Sequence, residues 1–108
     1  MTDNMEALVV ITTVPDEILA VKITESLLQQ RLAACVHQLP AGRSTYIWNG
    51  AIESVSELSL VIKTTKRRYD AVEAAIRSLH SYELPEIIAI PVIGGLPDYL
   101  KWIEDETQ

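Results

Sequence analysis

Apolar residues along the chain keep two different spacings, and the switches between them mark its elements. In "ALVVITTV", Ala7 to Val14, β-branched residues crowd a segment of strand length bounded by Pro15 and Asp16, which predicts a buried strand. The following "PDEILAVKITESLLQQRL" changes to a period of three and four. Ile18, Val21, Glu25, Leu28 and Leu32 fall on one helical line with Leu19, Ile23 and Leu27 beside it, so a helix with a broad packed face is expected. Pro15 reads as its first helical residue, the acids after it suit the positive end, and Arg31 suits the negative end.

The short apolar run "AACVHQL" predicts a second strand, and "PAGRS" interrupts it. In "TYIWNGAIESVSELSLVIKT", Asn49 and Gly50 both tolerate positive φ, the strongest local signal for a two-residue hairpin. Its second arm carries Ile52, Leu58, Leu60 and Ile62, with Ser54, Ser56 and Ser59 keeping it partly polar. A ribbon of this length outruns what one small domain covers and calls for a partner surface, so association is expected. Tyr69, Val72, Ile76 and Leu79 then define an amphipathic helix starting after Thr64 or Thr65. "PEIIAIPVI" reads as a strand that Pro91, lacking an N–H, confines to an edge. Beyond Gly94 and Gly95, "LPDYLKWIEDE" predicts a terminal helix with Tyr99, Trp102 and Ile103 docking together and a frayed acidic tail.

The order β-α-β-β-α-β plus one helix defines an α+β, ferredoxin-like sandwich, with both main helices on one face of an antiparallel sheet and an extended β-hairpin. A length of 108 residues suits one domain, 1–108, with an ordered core over about 6–104. There is no Phe, so Ile, Leu and Val must build that core. With 15 acidic against 9 basic residues the net charge is -6, which repels a phosphate backbone and argues against nucleic acid. No apolar run approaches the ~20 residues of a membrane span, and "MTDNMEALVV" has no leader pattern. A single cysteine, Cys35, excludes an intrachain disulfide and suits a reducing, cytoplasmic compartment.

Two places offer metal chemistry. His80 and Glu83, with Tyr82 between them, supply an imidazole and a carboxylate for part of a divalent-metal shell. The same residues equally serve as a helix end and corner, the histidine meeting terminal carbonyls and the glutamate capping or pairing. Cys35 and His37, two apart in a strand, point to one face as soft ligands or a nucleophile and base, or else as a small buried hydrophobe and a solvent-facing residue. Glu53 and Glu57 can lend oxygens at a subunit boundary or simply solvate the hairpin. Tyr46 and Trp48 share a strand face suited to an interface. HExxH, CxxC, Walker A, G-x-G-x-x-G and G-x-S-x-G patterns are all missing from the sequence, so a non-enzymatic protein is expected.

The stretches "RLAACV", "YIWNGAIE", "LVIKTT", "HSYELPEIIAIPV" and "YLKWI" follow one another across nearly the whole chain, and together they resemble the CutA divalent-cation tolerance family. The resemblance implies a ferredoxin-like subunit in a compact homotrimer, with hairpins and strand edges joined between neighbours. It also implies binding of copper or another divalent metal ion, needing none for folding, and draws attention to His80 and Glu83 in a cleft between subunits, with Cys35 a separate soft ligand and Tyr82 in support. His37 departs from the uncharged polar residue, such as Asn, more common there in the family, which adds a ligand beside Cys35 or changes nothing. The architecture is also similar to trimeric nitrogen-regulatory signalling proteins, so a small-ligand signalling or protein-interaction scaffold is the alternative.

Overall fold

The structure is a computed structural model and describes residues 6–108; the leader reading of residues 1–5 lies outside them. The elements follow the predicted order: β1 (Ala7–Val14), α1 (Glu17–Gln29), β2 (Cys35–Gln38), β3 (Gly42–Trp48), β4 (Ala51–Thr65), α2 (Tyr69–Leu79), β5 (Ile87–Pro91) and α3 (Pro97–Glu106). A 3-10 turn over Lys66–Arg68 leads into α2. The sheet is ferredoxin-like, in the order β2-β4-β1-β5, with β3 paired to β4 alone.

Register explains how one strand serves both the sheet and the hairpin. The inner half of β4 pairs antiparallel with β1, Val14 opposite Leu58 and Ala7 opposite Thr65, while its outer half pairs with β3 from Glu57 opposite Gly42 to Ala51 opposite Trp48. The link is the predicted two-residue turn: Asn49 and Gly50 both have positive φ, 51° and 80°, as a type I′ turn requires. Pairs Cys35–Lys63 and Leu8–Pro91 place β2 and β5 at the flanks, so the edge position that Pro91 demanded is observed.

Because side chains alternate along a strand, Val10, Val14, Leu60 and Ile62 form one face, on which Ile23, Leu27, Val72 and Ile76 from α1 and α2 pack. Each fully buried Ile or Leu contributes about 2 kcal/mol of transfer free energy, and these side chains do the work that Phe does elsewhere. Val9, Ile11, Val61, Ile88 and Ile90 have the opposite parity and point away from both helices, Ile88 and Ile90 remaining exposed.

Four expectations need correction. Pro15 precedes α1 instead of opening it, because Asp16 takes the extended N-cap geometry and its Oδ1 accepts the Leu19 N–H at 2.9 Å. The packed face of α1 is narrower than expected: Leu19, Ala20, Ile23 and Leu27 are buried, but Ile18 is 73% exposed and Val21 and Leu28 also face out. In α3 only Ile103 enters the core, while Tyr99 and Trp102 stack on each other with centroids 5.4 Å apart.

Nor does the acidic tail fray. The Thr107 hydroxyl donates to the Ile103 carbonyl at 2.9 Å, and Arg68 Nε donates to the Thr107 carbonyl at 2.7 Å, pinning the helix end to the start of α2. Arg31 does more than answer a helix dipole. It holds φ 58° just past α1, where its N–H and that of Leu32 return to the carbonyls of Leu28 and Leu27 in a Schellman closure.

Candidate functional site

The segment after α2 is fixed by its histidine. His80 leaves the helix in extended geometry, and its own N–H still bonds to the Ile76 carbonyl. Its Nε2 lies 2.7 Å from the Thr13 carbonyl oxygen, and Nδ1 accepts the Tyr82 N–H at 3.1 Å. A carbonyl can only accept, so Nε2 carries the proton and the ring is the neutral Nε2–H tautomer. The Tyr82 ring lies against the imidazole, centroids 4.7 Å apart, and its hydroxyl donates to Glu57 Oε2 at 2.8 Å. One corner is thereby tied to the end of β1 and to the base of the hairpin.

Between that corner and the hairpin lies a cleft of about 870 Å³. Strand alternation puts Tyr46 and Trp48 of β3 on the same side as Glu53 and Glu57 of β4, with Tyr46 directly opposite Glu53. Glu83 and Glu86 close the other wall, so the lining holds four carboxylates and no Lys, Arg or His. Glu57 is only 8% exposed, whereas Tyr46 and Trp48 keep about two-fifths of their surface open to solvent. Burial pushes the Tyr82 phenol up to about 12, and the hydrogen bond to Glu57 and that carboxylate's charge push the same way.

The sequence-predicted residues separate into two groups. Tyr82, Glu83, Tyr46, Trp48 and Glu53 line the cleft, with His80 supporting it from behind. Cys35 and His37 lie on β2 opposite Lys63 and Val61, on the sheet face turned away from the helices and outside the cleft lining. Among the described residues no three His, Cys, Asp or Glu side chains gather where they can hold a metal ion. One chain therefore does not join His80, Glu83 and Cys35 into a metal shell: both imidazole nitrogens already have backbone partners, and the thiol belongs to another strand.

Two parts of the site had little sequence signal. Glu57 was readable only as an oxygen donor or a solvated hairpin residue, and nothing local links it to Tyr82, 25 residues away. The Thr13 carbonyl is a backbone group and leaves no trace in residue chemistry.

A ferredoxin-like α+β subunit with an acidic cleft at the root of its hairpin describes a class, and comparison with known proteins narrows it. Residues 8–106 match the family described as CutA1 divalent ion tolerance protein, and the chain belongs to that family. Over 98 residues it is 41% identical to the divalent-cation tolerance protein CutA of Pectobacterium atrosepticum, covering 91% of this chain and 89% of that one. It is 37% identical to the chloroplastic protein CutA of Arabidopsis thaliana, spanning 97% of this chain but 58% of the longer plant protein. Among solved structures, CutA of Xylella fastidiosa superposes with a TM-score of 0.92 at 45% identity, covering 95% of this chain and 99% of that one. Membership assigns the chain a role in divalent-cation tolerance, and the family is defined by that role and not by a reaction.

Proposed function

We propose that the chain serves divalent-cation tolerance by binding copper or a similar ion as a non-enzymatic homotrimer, with the ion held where subunits meet. The observation that carries this reading is the cleft: four glutamates are among the residues that line it and no basic residue offsets their charge, which favours a cation. Since one chain does not gather three donors, the remaining ligands come from a neighbouring copy. Glu83 is the exposed donor of the corner, His80 joins it by giving up its Thr13 bond, and Cys35 is a separate soft ligand with His37 beside it. Association is supported by the exposed apolar ribbon, where Ile47 and Ile52 are 75% and 79% exposed, and by the uncovered sheet face. The lone cysteine supports a reducing, cytoplasmic setting.

The test is cellular and physical together. Cells producing this chain should survive higher copper than cells producing Glu83→Gln, while the purified protein should have the mass of three 12.0 kDa chains. Equal survival with both forms removes the role of Glu83, and a persistent monomer removes the shared site.

A further inference from the structure

Lys63 is the odd charge on the uncovered sheet face. It lies on β4 between Cys35 of β2 and Val9 of β1, with Ile90 of β5 beyond Val9 and Val61 beside it on its own strand. The outward residues of the four paired strands around it include no acid, and neither ion pair among the described residues contains it. In the lone chain this half-buried side chain keeps its ammonium in water. Once a second copy covers the face, that ammonium is enclosed among aliphatic groups, where a charge without a counter-ion is strongly destabilising.

Acids on the same side of β4 lie only toward its other end. Glu57 and Glu53 share the parity of Lys63 but stand six and ten residues away, about 20 and 33 Å along a strand, beyond the span of a lysine side chain. Tyr82 already holds Glu57. Glu53 is exposed, belongs to neither ion pair, and is carried by the ribbon, where β3 pairs with β4 alone. The two surfaces are complementary: the ribbon shows Glu53 opposite Tyr46 with Trp48 two residues on, and the sheet shows Lys63 among Val9, Val61 and Ile90. Because they differ, each copy offers its ribbon to one neighbour and its sheet face to the other, a heterologous contact that can close into a ring.

We propose that Lys63 of the partner subunit forms an ion pair with Glu53, so that the ribbon of one copy lies on the outward sheet face of the next. The rings of Tyr46 and Trp48 then pack on aliphatic side chains while acid meets base. Each acidic cleft is complete only in the assembly: it gains one ammonium from its neighbour and keeps Glu57, Glu83 and Glu86 to face a cation. This rests on the assembly part of the reading above and leaves its corner donor, Glu83, untouched.

A carbodiimide joins a carboxylate to an amine where the two touch, forming an amide while the reagent takes up the water that is lost. Applied to the unaltered, assembled protein and followed by peptide mass spectrometry, it should give a Lys63–Glu53 link found only in covalently joined chains, since the separation within one chain forbids it. Charge reversal is the second measurement. Lys63→Glu and Glu53→Lys should each raise the dissociation constant of the assembly by about tenfold or more, and the two changes in one chain should return it to within about threefold of the parent. Recovery in the double variant separates the ion pair from a mere failure of either single variant to fold. An assembly of three chains that yields no Lys63–Glu53 link, or a double variant that assembles no better than Lys63→Glu alone, overturns this proposal and leaves the shared-site reading standing. An unaltered protein that stays monomeric overturns both.

Discussion

Tyr82→Phe removes one oxygen and keeps the ring against His80, so it isolates the contact that closes the cleft. The lost bond is the 2.8 Å donation to Glu57, whose carboxylate is otherwise enclosed. Hydrogen bonds to charged groups contribute about 1.5–3 kcal/mol, and leaving a buried carboxylate without its donor puts the expected loss at about 2–3 kcal/mol near pH 7. Urea unfolding at fixed protein concentration reads this as a lower midpoint at unchanged slope. Combining the change with Glu57→Gln should give a coupling of about 1 kcal/mol or more. The contact also predicts an alkaline dependence. The phenol is protonated in both states below its ordinary pKa of 10; above it the unfolded chain loses the proton first, because the folded value is pushed up to about 12. This contribution is therefore complete below pH 10 and is lost as pH rises through 12. A two-unit difference corresponds to about 2.7 kcal/mol, and solvent screening of the half-buried ring reduces it to about 1 kcal/mol. The Phe variant should lack that component. A variant within about 0.5 kcal/mol of the parent, with no coupling to Glu57, refutes the role given to the pair.

Other elements give independent tests. Arg31→Gly places glycine at the left-handed helix end and removes only an exposed 3.5 Å pair with Glu106 and a 3.3 Å bond to the Asp105 carbonyl; it should stabilise by about 0.5–1 kcal/mol in urea unfolding, and a loss of stability would show that those contacts outweigh backbone strain. Arg68→Met frees the Thr107 carbonyl, so hydrogen exchange should speed up in the last turn of α3 and not in α2; unchanged protection there would mean that the arginine does not hold the tail.

What could be read from the sequence follows the range of the forces involved. Period-two and period-three-four patterns gave all five strands and three helices, and Asn49-Gly50 gave the hairpin, because turn geometry and alternation are local. Pro91 located an edge by what it lacks. The errors lie where a distant partner decides. Ile18 and Leu19 are equally apolar, yet only the sheet and α2 determine which is buried. Thr107 looked like the end of a loose tail until Arg68, far away in sequence, claimed its carbonyl.

The same division holds at the cleft. His80, Tyr82 and Glu83 stood out by residue type, alternation put Tyr46 and Trp48 on one face, and the hairpin register adds Glu53 to it. Their relation did not show, because it runs through the Thr13 carbonyl and the Glu57 carboxylate. Those two contacts also change the meaning of His80. Its imidazole is primarily the brace of the corner, and the carboxylates in front of it carry the charge that attracts a cation.

The most direct measurement is a calorimetric titration of Cu(II) into metal-free, untagged protein at low micromolar concentration, with its mass determined in the same sample. The account predicts saturable uptake by an assembly of three 12.0 kDa chains, weakened about tenfold or more when Glu83 is replaced by Gln. Uptake that never saturates, or that is identical in the Glu83→Gln protein, contradicts it.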